Sequence, residues 1–157
     1  LPDRSGSRLA RELSIRAVVD MRSEGSDDHL ELPRHGIEML RLPTEDRCAV
    51  SQAMLRTGVE WVGRRLLHGE GVLVHCQHGI GRSALLCACL LVERGWAPIP
   101  ALQHLKRVRP RVSPSPEQLN AMVEWCRSLR LEGGAASWDL PTVEALGALV
   151  WTSIAAR

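Results

Sequence analysis

The sequence predicts an α/β domain, a central and mostly parallel twisted sheet flanked by helices. Two patterns carry this expectation. Short apolar runs of strand length, RAVVDM at 16–21 and VLV at 72–74, alternate with longer stretches whose apolar residues return every three or four positions. Strands that alternate with helices build parallel sheets. The length of 157 residues is that of one domain, with its core over roughly 17–130 and a helical extension over 133–157.

In chain order, 7–13 forms a short helix, 16–21 a buried strand, and the small, acidic stretch 23–28 a loop. GIEMLRL at 36–42 alternates apolar with polar residues and forms a second strand, stopped by Pro43. Leu55, Val59, Val62 and Leu66 line one face of a helix over 51–67, which Gly69 and Gly71 end. Val72, Leu73 and Val74 form a wholly apolar strand of the kind found at the centre of a parallel sheet. Residues 84–93 are apolar nearly all round and form a buried helix, ended by Gly95. A short helix follows over 98–108. Ser115 and Gln118 have capping-box spacing, with Pro116 at the first helical position. The helix they open turns Leu119, Met122, Val123, Cys126 and Leu129 inward. Gly133 and Gly134 break it, and a last helix covers 141–155.

Composition narrows the function classes. Apolar residues are 45% and charged residues 24%, a globular balance. The longest apolar run, 84–92, is far too short to span a bilayer. A net charge of +2 does not point to a nucleic-acid partner. Lysine occurs once, as Lys106, among 20 basic residues, an arginine bias to which we attach no mechanism. Five cysteines in no framework spacing predict free thiols in a reducing compartment. With no secretory leader in view, the expected location is the cytoplasm.

The chemistry lies between the apolar strand and the buried helix, in His75-Cys76-Gln77-His78-Gly79-Ile80-Gly81-Arg82-Ser83. A glycine-containing loop that opens a helix can turn successive N–H groups inward as an anion cradle. The same field stabilises a thiolate, and cysteines so placed beside cations have pKa values lowered to roughly 3.5–7.5. An arginine at 82 can clamp two phosphate oxygens with its planar fork. A nucleophile at the base of a phosphate cradle is what phosphoryl transfer to sulfur requires.

HCQHGIGRS resembles the signature loop of the cysteine-dependent protein tyrosine phosphatase superfamily, in its small dual-specificity branch. VVDMR at 18–22 resembles that branch's early strand, and RPRVSP at 109–114 the segment before its last core helix. The resemblance implies Cys76 as nucleophile and a phosphate loop of Gln77, His78, Gly79, Ile80, Gly81 and Arg82. It further implies that Ser83 donates to the departing thiolate and that His75 orients the loop. The branch's general acid is an aspartate about thirty residues before the cysteine. Asp46 stands 30 before Cys76, with Glu45 as the neighbour that could replace it. The implied substrate is a phosphorylated protein or a small phosphomonoester, with no cofactor and no metal.

Other readings stand beside these. Cys87, Cys89 and Cys126 read as core residues, Cys48 as a loop thiol or an oxidative partner for Cys76, and Asp20 as a hydrogen-bonding partner of the loop backbone. His75, Cys76 and His78 lack a second pair at zinc spacing. Phosphotyrosine-selective relatives wall a deep slot with an aromatic loop, whereas this chain has no Tyr or Phe. None of its five Trp falls in a segment expected at the rim, so a shallow cleft is predicted. Lysines that match polyphosphorylated inositol lipids are missing from the loop. The alternatives are a rhodanese-like sulfurtransferase, a silent phosphate-binding module, and an RNA 5′-phosphatase of the same superfamily.

Overall fold

The structure is a computed structural model that describes residues 5–27, 29–133 and 136–152. Its elements run α1 (Ser5–Arg11), β1 (Ile15–Arg22), α2 (Glu31–Arg34), β2 (Glu38–Thr44), α3 (Gln52–Leu67), β3 (Gly71–His75), α4 (Arg82–Glu93), α5 (Pro98–Val108), α6 (Pro116–Gly133) and α7 (Val143–Val150). The expected α/β class is what forms, with all strand pairings parallel in the order β2-β1-β3. The ends of two expected segments, Asp28 and 153–155, lie outside the described residues.

The sheet's centre differs from expectation. Among the described residues β3 pairs with β1 alone, and it is β1 that has a neighbour on each side. Ala17 to Met21 are all buried, whereas every residue of β3 is half-buried. An apolar VLV run signals cover on its faces, Val72 and Val74 packing on the large core and Leu73 on the smaller one, but it carries no information about how many strands flank it. The signature loop therefore leaves an edge strand of the described sheet. Pro43 does not stop β2, which continues to Thr44. As an edge strand β2 can accommodate a residue with no N–H to donate, and the β1–β2 register shifts between Asp20 and Arg22, opposite that stretch.

Burial on β1 alternates between two cores. Val19 and Met21 join the large core made with α3, α4, α5, α6 and α7, while Val18 packs with Ala10, Leu32 and Ile37 on the opposite face. Gly58 lets α3 approach closely, since a Cβ there would stand 2.8 Å from methyl groups of Leu42 and Leu86. Leu66, expected on the buried face of α3, is exposed. In this last turn it is Arg65 that meets β2, through Glu38.

Each strand is entered from a residue with left-handed backbone: Ser14 before β1, Gly36 just ahead of β2 and Gly69 before β3, at φ 54°, 69° and 74°. The other ends of the strands lead into the loops that carry the chemistry. Helix α6 starts with the reciprocal cap that its sequence predicts. Ser115 Oγ accepts the Gln118 N–H at 3.2 Å, and Gln118 Oε1 accepts the Ser115 N–H at 2.9 Å. Ser115→Ala removes one of the two bonds and should lower stability by about 1 kcal/mol, measured by urea denaturation. An unchanged midpoint would mean that water replaces the cap at no cost.

Candidate active site

Ligand sites in open α/β sheets lie at the carboxyl ends of the strands. Here three such ends converge, carrying Glu24 after β1, Asp46 after β2, and Cys76 to Arg82 after β3. The register places Asp20 beside His75, and this aligns the exits of β1 and β3.

Cys76 follows β3 at once and is 7% exposed. The loop turns back at Gly79, whose φ of 64° belongs to glycine, and directs the Gly79 N–H to Cys76 Sγ at 3.2 Å. Ser83 Oγ lies 3.5 Å from the same sulfur. Burial pushes the Cys76 thiol up. The hydroxyl and N–H of Ser83, the Gly79 N–H and the charge of Arg82 outweigh it, so the thiol sits below its ordinary value. Burial acts almost unopposed on Cys87 and Cys126, pushed up to about 11 and about 12, and also raises Cys89. Cys89 and Cys126 are core groups, as the sequence suggests, whereas Cys87, expected there too, is only half-buried, because its side of α4 faces a surface groove beside the signature loop.

Arg82 opens α4 with no exposed side-chain surface. Nη1 donates to the Thr44 carbonyl at 2.6 Å and to Glu24 Oε2 at 2.8 Å, and Nη2 donates to Glu24 Oε1 at 2.6 Å. Asp46 Oδ1 is 3.3 Å from Nη2. Nε is buried without a partner. Glu24, which sequence reasoning missed inside a nondescript loop, is held at about 2 by its bonds to Arg82. The available signal was an acid two residues beyond the end of a buried parallel strand.

Asp46 is half-exposed and lines the cleft with Cys76, His78, Ile80 and Gly81. Glu45 does not line it; its carboxylate faces Cys48 Sγ at 4.0 Å. Geometry thus separates the two candidate acids in favour of Asp46. Cys48 has no place in the cleft lining beside Cys76. The Asp46 loop is tied to α6 by Ser115 Oγ on the Arg47 carbonyl at 2.5 Å and Gln118 Nε2 on the Cys48 carbonyl at 3.3 Å.

The signature loop is braced from outside the cleft. Arg109 donates to the carbonyls of Gly79 at 2.8 Å and His78 at 3.1 Å, and the Ser113 N–H donates to the Ile80 carbonyl at 2.9 Å. Gly81 is small because Gln118 crowds it, with Oε1 2.6 Å from where a Cβ would sit. Gln77 and His78 are exposed on the loop. His75 bonds Asp27 at 2.6 Å, and Asp27 in turn donates its N–H to Asp20 at 3.0 Å. Asp20, Asp27 and His75 thus cluster at ligand-like distances, a grouping different from the His75-Cys76-His78 set weighed from sequence. The Arg22 guanidinium, bonded to both carboxylates, supplies the cationic charge there.

One expectation fails. Trp151 lines the cleft, opposite in sequence to everything expected at the rim. The C-terminal helix α7 folds back onto α5 and α6 and delivers it.

The family model described as "Dual specificity phosphatase, catalytic domain" matches residues 2–128. The chain belongs to that family. It is a cysteine-dependent phosphatase, and the sulfurtransferase and silent-binder readings fall with that membership. The chain is 32% identical over 137 residues to a Rattus norvegicus protein called phosphatidylglycerophosphatase and protein-tyrosine phosphatase 1, covering 82% of this chain and 71% of that one. The crystal structure of PTPMT1 in complex with PI(5)P superposes with a TM-score of 0.79 at 26% identity, over 85% of this chain and 90% of that one. The active form of Tk-PTP gives 0.72 at 30% identity, over 78% and 84%.

The donors around Cys76 predict its reactivity. Iodoacetamide should alkylate Cys76 ahead of Cys87, Cys89 and Cys126, with an inflection below the ordinary thiol value. Ser83→Ala removes the hydroxyl's contribution, keeps the backbone N–H, and should move that inflection upward. Mass-spectrometric mapping of alkylation against pH reads both, and an inflection unmoved in Ser83→Ala would contradict the assignment.

Proposed function

We propose that the protein hydrolyses phosphomonoesters through a phosphocysteine on Cys76. The carrying observation is one cleft lined by a lowered thiol, Cys76, and a carboxylate, Asp46, with the buried Arg82 guanidinium 3.3 Å from that carboxylate. In the first half-reaction the Cys76 thiolate attacks phosphorus and the bond to the ester oxygen breaks. Asp46 gives its proton to that oxygen. The N–H groups of 77–81 and the Arg82 Nε–H meet the phosphoryl oxygens, where charge gathers in the transition state.

In the second half-reaction Asp46, now ionised, takes a proton from water as the water oxygen attacks phosphorus. The sulfur–phosphorus bond breaks, and Ser83 donates its hydroxyl to the returning thiolate, for which it lies 3.5 Å away. The products are the alcohol and inorganic phosphate. His75, Asp27, Asp20 and Arg22 hold the loop in register and take no part in proton transfer.

A phosphorylated protein or small phosphomonoester fits this cleft. A second reading, a phosphate ester on a lipid headgroup, is favoured by the names of the relatives at 31–32% identity. Turnover of a phosphotyrosyl peptide against phosphatidylglycerophosphate in detergent micelles separates the two.

The primary test is p-nitrophenyl phosphate hydrolysis in EDTA and reductant. Cys76→Ser should abolish it, and a folded, active Cys76→Ser protein would sink the mechanism. Because Cys76 must be ionised while Asp46 is protonated, turnover should fall on both sides of an optimum. The acid limb belongs to Cys76, whose lowered pKa extends the thiolate to lower pH. Asp46→Asn should cut kcat by about 100-fold and remove the alkaline fall; a wild-type rate that climbs steadily with pH would exclude Asp46 as the acid.

A further inference from the structure

We infer that Trp151 is a specificity-determining wall of the substrate cleft, favouring phosphomonoesters whose ester oxygen is bonded to an aromatic ring. This deepens the proposed function and rests on its cleft. Trp151 lies outside the 2–128 family match, in the C-terminal segment.

The cleft has a volume of about 460 Å3, and Trp151 shares it with Cys76, Ile80, Pro114 and Pro116. Two contacts fix the indole, and a third holds the backbone that carries it. Its Nε1–H donates to the Pro114 carbonyl at 2.8 Å, which satisfies the ring's polar atom and leaves an apolar surface for a ligand. Its six-membered ring rests against Gly147, where any Cβ would overlap the ring. The third contact is Lys106, the chain's single lysine. Its ammonium donates to the Val112 carbonyl at 2.9 Å and the Val150 carbonyl at 3.1 Å, clipping the end of α7 onto the segment that leads into the cleft. A lysine suits this place because its compact head can serve two carbonyls at a helix end.

The indole remains 44% exposed despite these anchors. A rigidly held, half-exposed tryptophan beside a phosphate cradle offers surface to the group next to the phosphorus. In an aryl phosphate that group is a flat ring, which stacks or meets edge to face with an indole. In an alkyl or glycerol phosphate the same place is taken by a small flexible chain with no flat face, which gains less from the contact.

The test compares benzylphosphonate with ethylphosphonate, which have the same charge and differ in the ring. Inhibition constants are measured against p-nitrophenyl phosphate for the wild type, Trp151→Ala, Trp151→Phe and Gly147→Ala. The wild type should prefer benzylphosphonate, and Trp151→Ala should reduce that preference by about tenfold. Trp151→Phe should retain most of it. Gly147→Ala, which displaces the ring while keeping α7 helical, should reduce it too. Equal preference in the wild type and Trp151→Ala overturns the inference, as does an equal weakening of both phosphonates, which would make Trp151 a structural residue. Should the wild type hydrolyse no phosphomonoester, the catalytic reading fails alone, and calorimetric affinities for the two phosphonates decide the role of Trp151.

Discussion

A guanidinium with no exposed surface is the constraint around which this molecule is arranged. Desolvating a charge of that size costs several kcal/mol unless partners surround it. Arg82 finds them on the exits of the other two strands: the Glu24 carboxylate past β1, the Thr44 carbonyl at the end of β2, and Asp46 just beyond. The residue that opens α4 thereby fixes where the loops after β1 and β2 must lie. Its remaining Nε–H has no partner.

A second buried polar network supports the first. Asp20, Arg22, Asp27 and His75 bond one another beneath the loop. Burial pushes Asp20 up, but its bonds to Arg22 and to the Asp27 N–H outweigh this and hold its carboxyl below the usual range. Such a network is stable only when its members are satisfied together. It explains why VVDMR, an otherwise apolar strand, carries a buried acid followed by an arginine.

Much of this was legible in the sequence, for identifiable reasons. The Cys76–Ser83 loop, the Ser115–Gln118 cap and the helix over 98–108 depend on local chemistry, and local chemistry is written in adjacent residues. Asp46 was legible because its distance along the chain matches a family spacing. Glu24 was not, since its role arises from a partner 58 positions away. Trp151 was missed for the same reason: its place depends on Lys106, Gly147 and Pro114, which meet only after α7 folds back. The central position given to β3 failed because apolarity reports coverage of a strand's faces and says nothing of its edges.

Left-handed residues stand at the strand entrances (Ser14, Gly36, Gly69) and among the converging exits (Arg47, Gly79) alike, but the space around them differs. That gives the domain a mechanical polarity. One pole is crowded by interlocked side chains, where Gly79 and Gly81 tolerate no added atom without displacing a neighbour. At the other pole, Gly36 and Gly69 have open space around them. Inserted sequence, fluorescent labels or fused modules belong at that second pole, where the chain can lengthen without disturbing the first.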